Sequence, residues 1–186
     1  MLCLLLLLLL LLLPSTRPLS LTPKAQLLSL LHPLSYGVLP LPSQPEFTTL
    51  LSTLTSSNPT PNPSSSPLFL GNWKLLWTTE KELLFAIDKG LFMAGPCTDV
   101  YQVIESNSLT NIVDFTKGRL QIKSSFEPQP TGTRFNFEFK TASLKWRNFE
   151  FPIPPIGKGY GDILYLDSDL RVQKDSRGDY LVCVKE

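Results

Sequence analysis

From about residue 70 onward, apolar and polar positions alternate with the period of two that a half-buried strand requires. The cleanest stretch is 134–140. Phe135, Phe137 and Phe139 share one face there, while Arg134, Asn136, Glu138 and Lys140 share the other. No helix sorts residues this way, and one wet face against one apolar face marks an antiparallel strand in a half-solvated sheet. Residues 73–78 read likewise, placing Trp73, Leu75 and Trp77 on one inward face. Further strands are expected at 100–105, 109–115, 119–126, 144–151, 160–166, 170–174 and 180–184, punctuated by turns rich in Gly, Pro, Asn, Asp and Ser. Residues 152–157 hold three prolines and are expected as a loop. Eight or nine strands with short connections predict a mainly β, antiparallel, up-and-down barrel, which either fills itself or holds one apolar ligand.

Two short helices interrupt this pattern. In residues 46–54, Phe47, Leu50, Leu51 and Leu54 fall on one face. That helix either plugs or flanks the barrel mouth, or lies on the surface. Residues 80–87 form the second, with Leu83, Leu84 and Ile87 apolar. Leu91-Phe92-Met93, between Gly90 and Gly95-Pro96, has three readings: a lid, a membrane-touching tip, or a loop packed on the core.

Composition divides the chain near residue 70. Eleven of the seventeen prolines lie in residues 1–67, and only one of the ten glycines precedes Gly71. This predicts a leader over residues 1–45, a helix and Pro/Ser-rich linker over 46–69, and the barrel over 70–186. Residues 2–13 are leucine with one cysteine, too short alone to cross a bilayer, and Pro14 ends them. The absence of acids and the several serines through residue 45 fit a plastid or mitochondrial transit peptide. A secretory signal, hence a secreted protein, and an untargeted N-terminus are the alternatives.

Residues 73–186 carry fifteen basic and fifteen acidic side chains. So balanced a domain has no field to attract nucleic acid, and a nucleic-acid partner is not expected. His32 is the only histidine and lies in the leader, so the barrel has no Ser-His-Asp or Cys-His arrangement and no histidine metal ligand. Asp162, Asp167 and Asp169 are close enough in sequence for acid/base work, but aspartate favours turns and pairing with Arg171. Gly157-x-Gly159-x-Gly161 lacks the spacing and following helix of a phosphate loop. Cys97 and Cys183 read as separate thiols, with a disulfide between them in an oxidising compartment as the alternative. No catalytic residue, metal or cofactor is expected, and the chain reads as a monomer.

Several motifs carry a family resemblance. They are Asn58-Pro59-Thr60-Pro61, Gly71-Asn72-Trp73-Lys74-Leu75-Leu76-Trp77, Val100-Tyr101-Gln102-Val103-Ile104, and Tyr165-Leu166-Asp167-Ser168-Asp169-Leu170-Arg171. Together they resemble the plastid lipid-associated proteins, or plant fibrillins, over roughly residues 58–186. The family is lipocalin-like, and Gly71-x-Trp73 also looks like the lipocalin opening. The resemblance implies a non-enzymatic protein of the chloroplast. It implies binding of apolar molecules (lipids, carotenoids or quinones) at plastoglobules, thylakoids or in the stroma. An alternative is a structural coat on plastid lipid droplets, without a defined pocket, touching the surface through Leu91-Phe92-Met93 and the leader. An enzyme using the barrel as its pocket is a third reading. Trp77, Phe92, Phe115, Phe135, Phe137 and Phe139 are the expected ligand-binding residues. Gly71, Trp73, Tyr165, Asp167, Asp169 and Arg171 form the expected structural motif, with Arg171 over or near Trp73 at the closed end.

Overall fold

A computed structural model describes residues 21–31 and 45–186; the leucine run and His32 lie outside them. Helices α1 (Pro23–Leu31) and α2 (Pro45–Ser56) precede strand β1 (Gly71–Thr78), helix α3 (Lys81–Lys89) and strands β2 (Cys97–Ile104), β3 (Ser108–Phe115) and β4 (Gly118–Pro128). Then come β5 (Arg134–Trp146), β6 (Phe149–Ile153), β7 (Lys158–Leu166), β8 (Leu170–Asp175) and β9 (Tyr180–Lys185). The sheet runs β4-β3-β2-β1-β9-β8-β7-β5-β6, and β4 also pairs with β5. That last pairing closes eight strands into an antiparallel barrel and leaves β6 outside it. Closure leaves the eight barrel strands without a free edge among themselves.

The expected strand at 144–151 is instead a hairpin. β5 continues for thirteen residues to Trp146, and Arg147 turns the chain back with φ 53. No glycine marks this turn. β6 accommodates Pro152 because an edge strand has donors to spare.

The register shifts at four places, and two of these bulges turn side chains onto the outer wall. Leu75 pairs with Cys183 but Trp77 pairs with Val182, so Leu76 is an extra residue in β1. Ile163 pairs with Gln173 but Tyr165 pairs with Val172, so Leu164 is extra in β7. An extra residue inverts the alternation beyond it. Trp73 and Leu75 therefore point into the barrel, while Trp77 points out of it. The expectation that Trp77 lines the interior is corrected on that account.

Outside the wall, Trp77, Tyr165, Leu170, Val172 and Val182 form a second core with α1 and α2, through Leu27, Leu31, Phe47, Leu51 and Leu54. Phe47 meets Trp77 edge-on with ring centroids 5.1 Å apart. Helix α2 thus covers the flank of the barrel, and α1 falls within the stretch expected as leader. Lys24 of α1 bonds Asp167 at 2.8 Å and Asp169 at 2.6 Å.

Two motifs more than a hundred residues apart clasp each other here. Asn58 Oδ1 accepts the Leu166 N–H at 3.1 Å, and Thr60 Oγ1 donates to the Leu166 carbonyl at 2.6 Å. Asp167 then accepts from Lys24, the Asp169 and Leu170 amides and the Tyr165 hydroxyl. Burial alone would raise the Asp167 pKa, but these donors outweigh it and hold the carboxyl well below the usual range. Burial, with Asp167 as acceptor, pushes the Tyr165 phenol up to about 12.

The second core makes Phe47 the pin that holds the helices to the wall. Phe47→Ala is expected to lower the unfolding free energy by roughly 3–5 kcal/mol in a urea titration. Phe85→Ala, on an exposed ring, is the control and should stay within about 0.5 kcal/mol.

Candidate functional site

The interior of the barrel is solid at one end and hollow at the other. The floor is built from Phe69, Phe126 and Phe135, whose ring centroids lie 5.3–5.4 Å apart. Phe69 arrives from outside the strands, on the 3-10 turn Pro67–Phe69, and its carbonyl accepts the Trp73 indole N–H at 2.8 Å. Arg171 is fully buried beside them. Its guanidinium stands 5.0 Å from the Trp73 ring centroid and 5.2 Å from that of Phe69. Nη2 also donates to Gln102 Oε1 and, at 3.3 Å, to Cys183 Sγ. Burial pushes the Cys183 thiol up, against the opposing pull of Arg171, so it stays protonated. Gly71 opens β1 at φ 122, a conformation glycine adopts without strain.

Above this floor lies a cavity of about 550 Å³, within the usual range of small-molecule sites. Phe135, Phe137 and Phe139 climb one wall, and Leu75, Val100, Leu109, Val113 and Leu120 line the rest of the apolar surface. The three phenylalanines keep to their wall because the strand beside them has no side chains to push back. Phe135 pairs with Gly161 and Phe137 with Gly159, while the Phe139 amide bonds the Gly157 carbonyl. A Cβ on Gly161 would stand 2.5 Å from the Phe135 ring, and one on Gly157 would stand 2.6 Å from Phe139. The glycine-x-glycine-x-glycine run is therefore a track on which rings lie.

A polar stripe crosses the apolar wall. Gln102 donates to Asn111 Oδ1 at 2.8 Å, and both line the cavity. Gln173 also lines it, is buried, and its Oε1 has no hydrogen-bond partner among the described residues. An unmet buried acceptor is costly and calls for a donor. The mouth is acidic. Glu80, Glu82, Asp175 and Asp179 all contact the single guanidinium of Arg177. Glu80 takes the worst of this arrangement. Burial first, then the charge of Asp175, raises its pKa to about 7. Leu83 and Ala86 of α3 roof part of the opening.

The expected ligand-binding residues thus separate. Phe135, Phe137 and Phe139 come together on one cavity wall. Phe115 is buried in the same core, opposite Cys97, but is not part of the cavity wall. Trp77 lies outside the barrel. The loop carrying Phe92 packs Leu91 and Ala94 on the core and exposes Met93; the Phe92 side chain lies outside the described residues. Trp73 and Arg171 meet on the floor, whereas Tyr165, Asp167 and Asp169 anchor α1 on the outer wall. The polar stripe and Glu80 went unnoticed in the sequence. Their signal was available in the inward parity of Gln102, Asn111 and Gln173 once the strands are registered. Cys97 and Cys183 are free thiols.

A closed eight-stranded barrel with a sealed aromatic floor and an apolar cavity defines a lipocalin-like protein. The chain belongs to the PAP_fibrillin family, whose model matches residues 22–184 and so takes in both α1 and α2. It is 43% identical over 112 residues to probable plastid-lipid-associated protein 11, chloroplastic, of Arabidopsis thaliana, covering 59% of this chain and 53% of that protein. It is 31% identical over 107 residues to plastoglobulin-1, chloroplastic, of Pisum sativum, covering 54% of this chain and 30% of that protein. The chain therefore spans about half the length of the first relative and under a third of the second. No solved structure matches it significantly.

The raised pKa of Glu80 gives a directional test. Its proton is held more tightly in the fold than in the unfolded chain, so its charged form weakens the fold above the folded pKa. Below the unfolded value, near 4.5, both states are protonated and the penalty vanishes. Glu80→Gln should raise the melting temperature at pH 8 and leave it nearly unchanged at pH 4, with the difference growing across pH 5–7. A pH-independent shift would place the effect in packing instead.

Proposed function

We propose that this protein binds one uncharged, apolar plastid molecule inside its barrel, without catalysis, at the lipid of plastoglobules or thylakoids. The observation that carries the reading is the aromatic-walled cavity above the sealed floor. Lipids, carotenoids and quinones fit it as a class. The polar stripe favours a member with one hydrogen-bonding group, since Gln173 offers an unmet acceptor at depth. The acidic mouth disfavours anions, because Arg177 is already shared among four carboxylates. A fatty-acid carboxylate passing that rim would meet like charge, and the Arg171 cation is not part of the cavity wall. Below the mouth the cavity is lined by rings, aliphatics and amides, with a protonated thiol at Cys183, while the charged side chains (Glu80, Glu82, Lys158, Asp175 and Arg177) gather at the opening, which supports a carrier. The chloroplast assignment is supported by the two relatives, both named as chloroplastic.

Titration of the purified protein with a short-chain prenylquinone is expected to quench the fluorescence of Trp73, which lines the cavity. Palmitate at pH 8 should bind at least about tenfold more weakly, and its methyl ester should recover the loss. Phe137→Ala enlarges the wall and should change the quinone affinity while costing less stability than loss of the fully buried Phe135. Mass spectrometry of the organic extract should find a single neutral species near one per protein. Absence of quenching by quinone, ester and fatty acid alike would overturn the cavity reading in favour of a coat on lipid droplets.

A further inference from the structure

The register carries the inner face of the barrel out into the hairpin beyond its rim. Lys123 of β4 pairs with Thr141 and Ser124 pairs with Phe139, so Lys140 is an extra residue in β5. Up to Phe139 the odd positions face the cavity; past Lys140 the even ones do. Ala142, Leu144 and Trp146 therefore continue the inward face. They lie opposite Ile122, Leu120 and Gly118 of β4 on one side, and Ile153, Phe151 and Phe149 of β6 on the other. Leu120 and Ile122 themselves line the cavity. One uninterrupted apolar surface thus runs from inside the barrel onto the projecting hairpin. Its outer part is bare: Phe149 is 62% exposed, Phe151 45% and Ile156, at the rim, 86%. Trp146, Phe149 and Phe151 form a stacked ladder with centroids 6.3 and 6.5 Å apart. An exposed aromatic patch of this kind marks an interaction site.

The opposite face of the same tip is cationic. Arg119 and Lys145 stand directly across from each other, and with Lys117 and Arg147 they surround a surface cleft. Asp114 is the carboxylate in that cleft, held by Arg119 at 2.5 and 2.8 Å; Glu150 stands across from Lys145 on β6. Like charges placed opposite each other in a sheet repel; Asp114 answers Arg119, and among the described residues Lys117, Lys145 and Arg147 form no ion pair, which leaves them for an external anion. An aromatic face backed by lysine and arginine is the chemistry of an element lying at a lipid–water boundary.

We propose that the β5–β6 hairpin docks the protein on a lipid surface bearing anionic head groups. Trp146, Phe149 and Phe151 enter the acyl boundary, and the cleft cations rest on the head groups. A second copy of this chain suits the tip less well, since two cationic clefts would be brought together. The proposal concerns a surface separate from the cavity contents, and it leads from that surface to the cavity mouth.

The test is flotation of the full chain with phosphatidylcholine vesicles, with and without phosphatidylglycerol. Wild type should float with the anionic vesicles, and more weakly as salt is raised. Phe149→Ser with Phe151→Ser, and separately Lys145→Glu with Arg147→Glu, should each weaken binding at least about tenfold. Melting curves of the variants should match wild type, because these side chains are exposed. Phe137→Ala, inside the barrel, should float like wild type even if it alters ligand binding, so a failure of the cavity reading shows separately. Equal flotation of all variants would overturn the proposal. So would a wild-type dimer in sedimentation that ignores vesicles and is dissociated by the double serine variant, which would make the face a contact between copies.

Discussion

A fully buried cation held by two rings rather than by a carboxylate fixes the closed end of this barrel. Arg171 has Trp73 and Phe69 beside it, one acceptor in Gln102 and a weak one in Cys183. Its Nε and Nη1 have no hydrogen-bond partner among the described residues. Burying an unpaired charge is expensive unless its surroundings answer it. Two aromatic faces supply about 0.5–2 kcal/mol each, toward the upper end when water is excluded. The arrangement requires strands and a pre-barrel turn to converge: β1 for Trp73, β8 for Arg171, β2 for Gln102, and the 3-10 turn for Phe69. None of them satisfies the guanidinium alone, so the floor forms when the barrel closes. Its solidity closes that end, and the cavity lies above it, toward α3.

The second constraint is parity. The bulges at Leu76 and Leu164 turn Trp77 and Tyr165 outward onto the helices, and the one at Lys140 keeps the apolar face turned inward as β5 lengthens. Each bulge adds a single residue, yet each reassigns every side chain beyond it. Without the first two, Trp77 and Tyr165 would point into the barrel, and α1 and α2 would lose the two rings they pack on. Without the third, the hairpin would turn Thr141, Ser143 and Lys145 toward the cavity. The outward rings of the second core and the apolar face of the projecting hairpin thus depend on three inserted residues.

This also explains what could be read in the sequence. The barrel, the turns and the Phe135-Phe137-Phe139 wall follow from unbroken alternation and were legible. The inward placement of Trp77 was expected from the same rule and failed where Leu76 broke it. A bulge leaves almost no trace in one sequence, because Leu76 and Leu164 are as apolar as their neighbours and either face accepts them. Alternation reads residues 144–151 as one strand for a related reason: the turn at Arg147 uses a positive φ without a glycine to announce it. The glycine run at 157–161 was visible, but its purpose depends on a pairing with β5 that local pattern does not supply. Clasps such as Asn58 and Thr60 on Leu166 depend on contacts across a hundred residues, and only the motif spelling hinted at them.

At the open end of the barrel, charge changes sign between the rim and the projecting hairpin. Carboxylates crowd the rim around Arg177, while cations surround the hairpin tip beyond it. A neutral molecule leaving an anionic lipid surface would travel along Phe149, Phe151, Leu144, Leu120 and Ile122 without crossing a polar band. A charged amphiphile would be retained by the cations at the tip and opposed by the carboxylates at the rim. If the barrel carries a ligand as proposed, selectivity for uncharged cargo would follow from the order in which the two fields are met, before any contact with the wall of the cavity. The aromatic wall needs only to be apolar and roomy, and the glycine track keeps it so by holding three rings against the strand beside them. Fine discrimination is left to the few amides at depth, where an unmet Gln173 acceptor rewards a ligand that brings one donor.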